Sequence, residues 1–278
     1  MLKTRIITAL ILISVFLAAL FFLPPVGWLV FSSLVATLAA WEWGALIGFG
    51  KWGRICLGAA IALVTAVISA TSPDSVGLAP YSSATAMLLG QWLYFPSAAF
   101  WLLLVPWWLK FRWVMKGSMI GIAVGAVVIL PTWLALVQIK QVGEWGLIGI
   151  MAVVWLADIA AYFSGRRFGR RKLAPAISPG KTWEGAVGGT LAVVAYGFLL
   201  VSALPASLAE NRALLFALLV ALAAISIIGD LFESLLKRQA GMKDSSGILP
   251  GHGGVLDRID SLTSTLPIAA LVLHYFSV

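Results

Sequence analysis

Long apolar stretches with hardly a charge recur along this chain, and nothing constrains its fold more. Residues 6–23, 87–109, 117–139, 185–204 and 261–278 contain no Asp, Glu, Lys or Arg. Residues 27–48 carry one acid, Glu42, near their end, and 145–165 carry Asp158. Residues 213–236 are apolar as far as Gly229 and then acidic, and 55–70 form a shorter stretch of the same kind. A helix rises 1.5 Å per residue, so about 18–20 such residues cross a hydrocarbon layer roughly 30 Å thick. Of the 278 residues 61% are hydrophobic and 11% charged, against about 45–50% and about 25% in soluble domains. A soluble fold has too little interior to hide that excess. The sequence therefore predicts an all-α integral membrane protein, a polytopic bundle of about nine transmembrane helices forming one membrane domain over 1–278. Its N-terminal helices occupy 1–144, and 145–278 carry the chemistry.

The basic residues check the count. Lys3 and Arg5 precede the first stretch, Lys51 and Arg54 follow the second, and Lys110, Arg112 and Lys116 follow the fourth. Arg166, Arg167, Arg170, Arg171, Lys172 and Lys181 follow the sixth; Lys237, Arg238, Lys243 and Arg258 lie between the last two. With nine crossings, seventeen of the nineteen Lys and Arg fall on one side, leaving Lys140 and Arg212 on the other. The positive-inside rule makes the crowded side cytoplasmic, with the N-terminus there. The net charge of +8 then calls for no nucleic acid. The first stretch is too long for a signal-peptide core and lacks a small-x-small cleavage site, so it reads as a retained helix. Cys56, the one cysteine, forms no internal disulfide and reads as a buried, inert thiol. Trp107, Trp108 and Trp113 read as interfacial anchors.

Five of the eleven acids fall between positions 230 and 260, and acids in or beside membrane helices need a partner or a task. Asp230 and Glu233 are three apart, as are Asp257 and Asp260, a spacing that sets each pair on one helix face. Two such pairs from neighbouring helix ends could hold Mg²⁺, which takes one or two carboxylates together with substrate phosphates. Alternatively, Glu233 pairs with Lys237 one turn on, and Asp257 and Asp260 favour a helix N-terminus. Between the pairs runs Gly247-Ile-Leu-Pro-Gly-His252-Gly253-Gly254, whose glycines let the backbone turn tightly and present N–H groups to an anion.

These residues resemble the signature of the phosphatidate cytidylyltransferases, also called CDP-diglyceride synthetases. Ser234, Lys237-Arg238, Lys243-Asp244, His252-Gly253-Gly254 and Asp257-Arg258-Ile259-Asp260 stand in the family's order and spacing. Ser178-Pro-Gly180-Lys181-Thr-Trp-Glu-Gly185 resembles its second cytoplasmic motif. Trp155, Asp158, Ala161, Tyr162 and Gly165 resemble its sixth-helix motif, and Ala40-Trp41-Glu42-Trp43 its second span. The resemblance implies transfer of the cytidylyl group of CTP to phosphatidic acid, at an inner membrane, with diphosphate released and a homodimer suggested. It implies Asp230, Asp257 and Asp260 as ligands of Mg²⁺, with a monovalent cation such as K⁺ beside it. Lys237, Arg238, Lys243 and Arg258 would meet CTP phosphates or the phosphatidate headgroup, and Asp244 and His252 belong to the same catalytic set. His252 acts either as an acid toward diphosphate or as a hydrogen-bond partner of the backbone. Ser178, Gly180 and Lys181, with Gly253 and Gly254, would bind substrate. Arg166–Lys172 reads better as a basic loop on anionic lipid, His274 as structural, and Asp158 as paired with a cation or ordering the site.

A transporter would place its acids near mid-span and show internal symmetry; here they cluster at helix ends and no repeat is visible. A CDP-alcohol phosphotransferase carries a different Asp-rich signature, which is absent here.

Overall fold

A computed structural model describes residues 2–79, 83–115 and 118–276; Lys116, counted above, lies outside them. The chain forms α1 (Leu2–Phe22), α2 (Pro25–Leu46), α3 (Lys51–Thr71), α4 (Ser83–Ala99), α5 (Val105–Phe111), α6 (Ser118–Val142) and α7 (Glu144–Phe168). A hairpin of β1 (Lys172–Ala174) and β2 (Ser178–Thr182) follows, then α8 (Trp183–Leu199), α9 (Ala206–Glu210), α10 (Arg212–Gln239) and α11 (Leu256–Phe276). A π-helical turn, Phe100–Leu104, joins α4 to α5, so 85–111 is one continuous 27-residue apolar helix. Pro106 lacks an N–H, and the wide turn just before it absorbs the broken hydrogen-bond register.

Among the described residues eight helices are long and apolar enough to cross a membrane. The expected stretch at 185–204 instead forms α8, apolar but 17 residues long. The antiparallel hairpin is a small departure from the all-α expectation: it pairs Lys172 with Thr182 and Ala174 with Ser178. Outward surfaces are apolar. Ile6, Ile7, Leu10, Ile11 and Ile13 of α1 are all more than half exposed, a surface that suits lipid and no aqueous monomer. This is a multi-pass membrane protein.

Contacts sort the connections into two ends. At one, Thr8 Oγ1 donates to the carbonyl of Pro250, and Gln239 Nε2 to that of Trp113. At the other, Lys140 reaches the carbonyl of Leu23, Gln138 and Gln141 that of Ser75, and Ser207 that of Phe276. The first end gathers the loops that carry most of the cations.

Two interfaces set the architecture. Three indoles sew α2 to α6: Trp43 Nε1 donates to the Gly121 carbonyl (2.9 Å), Trp133 to Ser33 Oγ (3.0 Å) and Trp28 to the Leu136 carbonyl (3.3 Å). Each donor lies away from water and must find a partner inside. The second interface joins α7 and α8 through small residues, Ala157, Ala161 and Gly165 facing Gly185 and Gly189. A Cβ at Gly189 would stand 2.7 Å from the Ala157 carbonyl oxygen, and one at Gly185 2.8 Å from that of Ala161. Such spacing lets backbones approach closely where no hydrophobic force drives helices together.

Two single-residue expectations are corrected. Cys56 is exposed on α3, facing outward with that helix's apolar surface. Trp108 is buried and packs edge-on against Phe232 of α10, centroids 5.5 Å apart; Trp107 and Trp113 remain exposed, as anchors should.

If the small-residue seam holds α7 on α8, Gly189→Ala forces the helices apart and costs about 1–3 kcal/mol. Gly146→Ala, also helical but with nothing within 4 Å of its added methyl, should leave stability unchanged or raise it by about 0.4–1 kcal/mol. Thermal unfolding in detergent distinguishes the two.

Candidate active site

The α7–α8 seam closes one wall of a cavity of about 530 Å³. β2 brings Ser178, Gly180 and Lys181 to it, α7 brings Asp158, Tyr162 and Arg166, and α10 brings Asp230. The hairpin exists because Thr182 ends the strand and caps α8, its Oγ1 accepting from Gly185 N at 3.1 Å. That cap turns Lys181 inward, where its ammonium pairs with Asp230. The other Asp230 oxygen accepts from Ser234 Oγ at 3.2 Å, so the signature serine orients this carboxylate. Two motifs fifty residues apart in sequence thus meet in one ion pair.

The acids continue behind Asp230. Asp158, Asp230 and Asp260 are close enough to feel one another's charge, and Glu233 feels both Asp257 and Asp260. Gly229 makes this possible: a Cβ there would stand 2.9 Å from the Asp260 carbonyl oxygen, so α10 and α11 touch beside their carboxylates. Lys237 is wedged among them, 2.6 Å from Asp257 Oδ1 and 3.1 Å from Glu233 Oε1. The expected Glu233–Lys237 pair is therefore present, but it is shared with the next helix. Asp257 is saturated. Its Oδ2 accepts from the Ser245 N–H (2.8 Å), the Ser245 hydroxyl (2.9 Å) and the Gly254 N–H (2.8 Å). Asp260 is more open, accepting from the N–H of its neighbour Ser261 at 2.7 Å.

The glycine loop is directed inward. The Gly254 N–H donates to the protein's own Asp257, and just beyond the glycine run Val255 N (2.9 Å) and Leu256 N (2.6 Å) donate to Glu42. Glu42 also accepts from Ser246 Oγ at 2.6 Å and lies 3.1 Å from Ser245 Oγ. Gly253 has φ +82°, and a Cβ on it would come within 2.6 Å of Asp257 Oδ2. Glycine is needed here to let a carboxylate reach the backbone. Sequence reasoning gave Glu42 no role, although a lone acid in an apolar stretch was a signal that a partner must exist.

Arg238, Lys243, Asp244 and Arg258 stand exposed around this end of α10 and α11, outside the cavity lining. His252 is partly buried, with Nδ1 unpartnered and its backbone N–H donating to the Leu249 carbonyl. Among the described residues no three His, Cys, Asp or Glu side chains form a ready set of metal ligands. The donors nonetheless suit a hard cation. Glu233 is 4% exposed and its oxygens lack a hydrogen-bond partner, Lys237 lying close to one but out of alignment. Asp230 and Asp260 keep acceptor capacity, and Mg²⁺ needs only one or two carboxylates when phosphates supply the rest.

The different surroundings of the acids separate their roles in folding. Asp257→Asn turns an amide donor toward either Lys237 or the loop N–H groups and should cost about 1–3 kcal/mol. Asp260→Asn, with one local bond at stake, should leave the melting temperature close to that of the parent protein. Equal melting of both variants would remove the distinction.

Residues 3–276 match the model of the cytidylyltransferase family. The chain is 42% identical to the phosphatidate cytidylyltransferase of Pseudomonas aeruginosa over 283 aligned positions, covering 98% of this chain and 97% of that one. It is 33% identical to the phosphatidate cytidylyltransferase of Haemophilus influenzae, covering 96% of each. With that of Brucella suis it shares 54% identity over 127 residues, 46% of this chain and 44% of that one. The match takes in the hairpin, the acids of α10 and α11, and the Glu42 contact from the opposite half of the bundle, and on that extent the chain belongs to the cytidylyltransferase family.

Proposed function

We propose that this chain transfers the cytidylyl group of CTP to phosphatidic acid on the cytoplasmic side of an inner membrane, giving CDP-diacylglycerol and diphosphate. A phosphatidate oxygen attacks the α-phosphorus of CTP, and the bond from that phosphorus to the bridging oxygen of the leaving diphosphate breaks. The nucleophile is a phosphate monoester with a second pKa near 6, already largely ionised, so no dedicated base is required. The obstacle is the mutual repulsion of two polyanions, which positioning and opposite charge overcome.

The observation that carries this reading is the Lys181–Asp230 pair on the cavity wall. A lysine held by one carboxylate is a cation that an incoming phosphate can claim, and the acid it releases is freed to face a metal. Asp230 and Asp260 would hold Mg²⁺, with Asp257 keeping Lys237 and the loop in place beside them. Bound there, the ion supplies charge neutralisation for the phosphates. Ser178 and Gly180 offer a hydroxyl and an open backbone at the cavity mouth; no Cβ contact crowds Gly180 within 4 Å. Arg166 and Lys172 line the same cavity, so this part of the basic loop faces substrate as well as lipid.

Purified protein given labelled CTP, phosphatidic acid and Mg²⁺ should form a lipid-soluble cytidine product, and EDTA should stop it without unfolding the protein. In that assay Asp230→Asn and Asp260→Asn should each lower turnover by roughly 10²–10³. Glu210→Gln, exposed on α9 at the opposite end, should change nothing. Full activity in chelator removes the metal, and near-normal turnover in both Asn variants removes the site.

Orientation has its own check. With Cys56 replaced, single cysteines at exposed Arg170 and Ser202 should be labelled by an impermeant thiol reagent from opposite sides of the membrane, Arg170 from the cytoplasm. Labelling of both from one side overturns the topology.

A further inference from the structure

We infer that Glu42 is a positioning residue for the transfer reaction: an internal anion, supplied by the N-terminal half, that fixes the signature loop and the start of α11 in the geometry the reaction needs. The inference rests on the transferase reading above and adds to it a residue that touches neither substrate nor metal.

Glu42 is wholly buried, a costly state for a carboxylate unless it is fully answered by donors. Among the described residues it is answered by one segment. Ser246 Oγ and Val255 N donate to Oε1 and Leu256 N to Oε2, with Ser245 Oγ, whose one proton is shared between Glu42 and Asp257, 3.1 Å from Oε2. Every partner lies more than 200 residues away in sequence. Two of the donors are backbone N–H groups at the start of α11, where unpaired N–H groups and the helix dipole make a natural anion site. A side chain already fills that site, so substrate phosphate is directed instead toward Lys181 and the hairpin.

The link from Glu42 to the reacting groups is short. Ser245 Oγ stands between Glu42 Oε2 and Asp257 Oδ2, and Asp257 in turn holds Lys237 and precedes Asp260 by one turn of α11. Gly254 fits the arrangement, since a Cβ there would lie 2.6 Å from the Glu42 carboxyl carbon. Loss of the Glu42 charge therefore releases both ends of the loop, and with them the placement of Asp257, Lys237 and Asp260.

The test compares parent protein with Glu42→Gln, which keeps length but turns an amide donor onto N–H groups. Hydrogen–deuterium exchange of the full chain in detergent should rise over 245–256 and stay unchanged over α6 and α8. Turnover should fall about 10–100-fold, the usual cost of losing a group that orients metal-site residues, while KM for CTP changes little. Glu42→Asp, which keeps the charge, should recover part of the turnover. Ser33→Ala removes a buried bond from the same helix; it should lower the melting temperature yet keep normal loop exchange and kcat. If Glu42→Gln does not fold, Ser246→Ala, which deletes a single bond to Glu42, must show the same pattern at smaller size. Normal loop exchange in the variants, or a kcat loss that Ser33→Ala reproduces, overturns the proposal. Because exchange needs no turnover, a parent protein that makes no lipid-linked cytidine sinks the transferase reading while the anchoring of the loop is still judged.

Discussion

Lys237 organises the end of this bundle where α10 and α11 gather their acids. Its ammonium lies between Glu233 on its own helix and Asp257 on the next, so α10 and α11 are tied where they also touch at Gly229. An ion pair of this kind, removed from water, holds only if its geometry is good and its remaining oxygens are satisfied. The loop meets that condition for Asp257 with three donors. Glu233 is left less satisfied, since neither of its oxygens has an aligned donor.

The sequence revealed the bundle because crossing a bilayer leaves a crude mark, about twenty residues without charge, that needs no knowledge of packing. It revealed the chemistry because acids in such surroundings are rare enough to be conspicuous. Which way a helix faces was far less legible. In a soluble protein the polar face marks the outside; here lipid and interior are both apolar, so periodicity loses its meaning. Cys56 and Trp108 show this. The apolar neighbours of Cys56 point to the interior, yet it faces out; the cations near Trp108 point to an anchor, yet it packs on Phe232.

The glycine loop illustrates a second limit. Glycines near cations and acids are compatible with gripping a substrate phosphate or with admitting the protein's own carboxylates, and composition cannot separate the two. The answer depended on Glu42, which lies over two hundred residues from its partners. Through Glu42 the N-terminal half reaches the loop that precedes α11. Trp43, beside Glu42, locks α2 to α6 through Gly121, so the acid is presented from a rigid support.

The exposed cations have a different consequence. Arg170, Arg171, Arg238, Lys243 and Arg258 all face outward at the end of the molecule that holds the cavity. At physiological salt an exposed charge is felt over about 8 Å, so an anion meets this field only when it is already at the surface. Such a fringe is a diffuse band of positive charge, not a built pocket: no one geometry is fixed by it. Its members are thus interchangeable in a way the interior lysines are not, and salt screens the band as a whole.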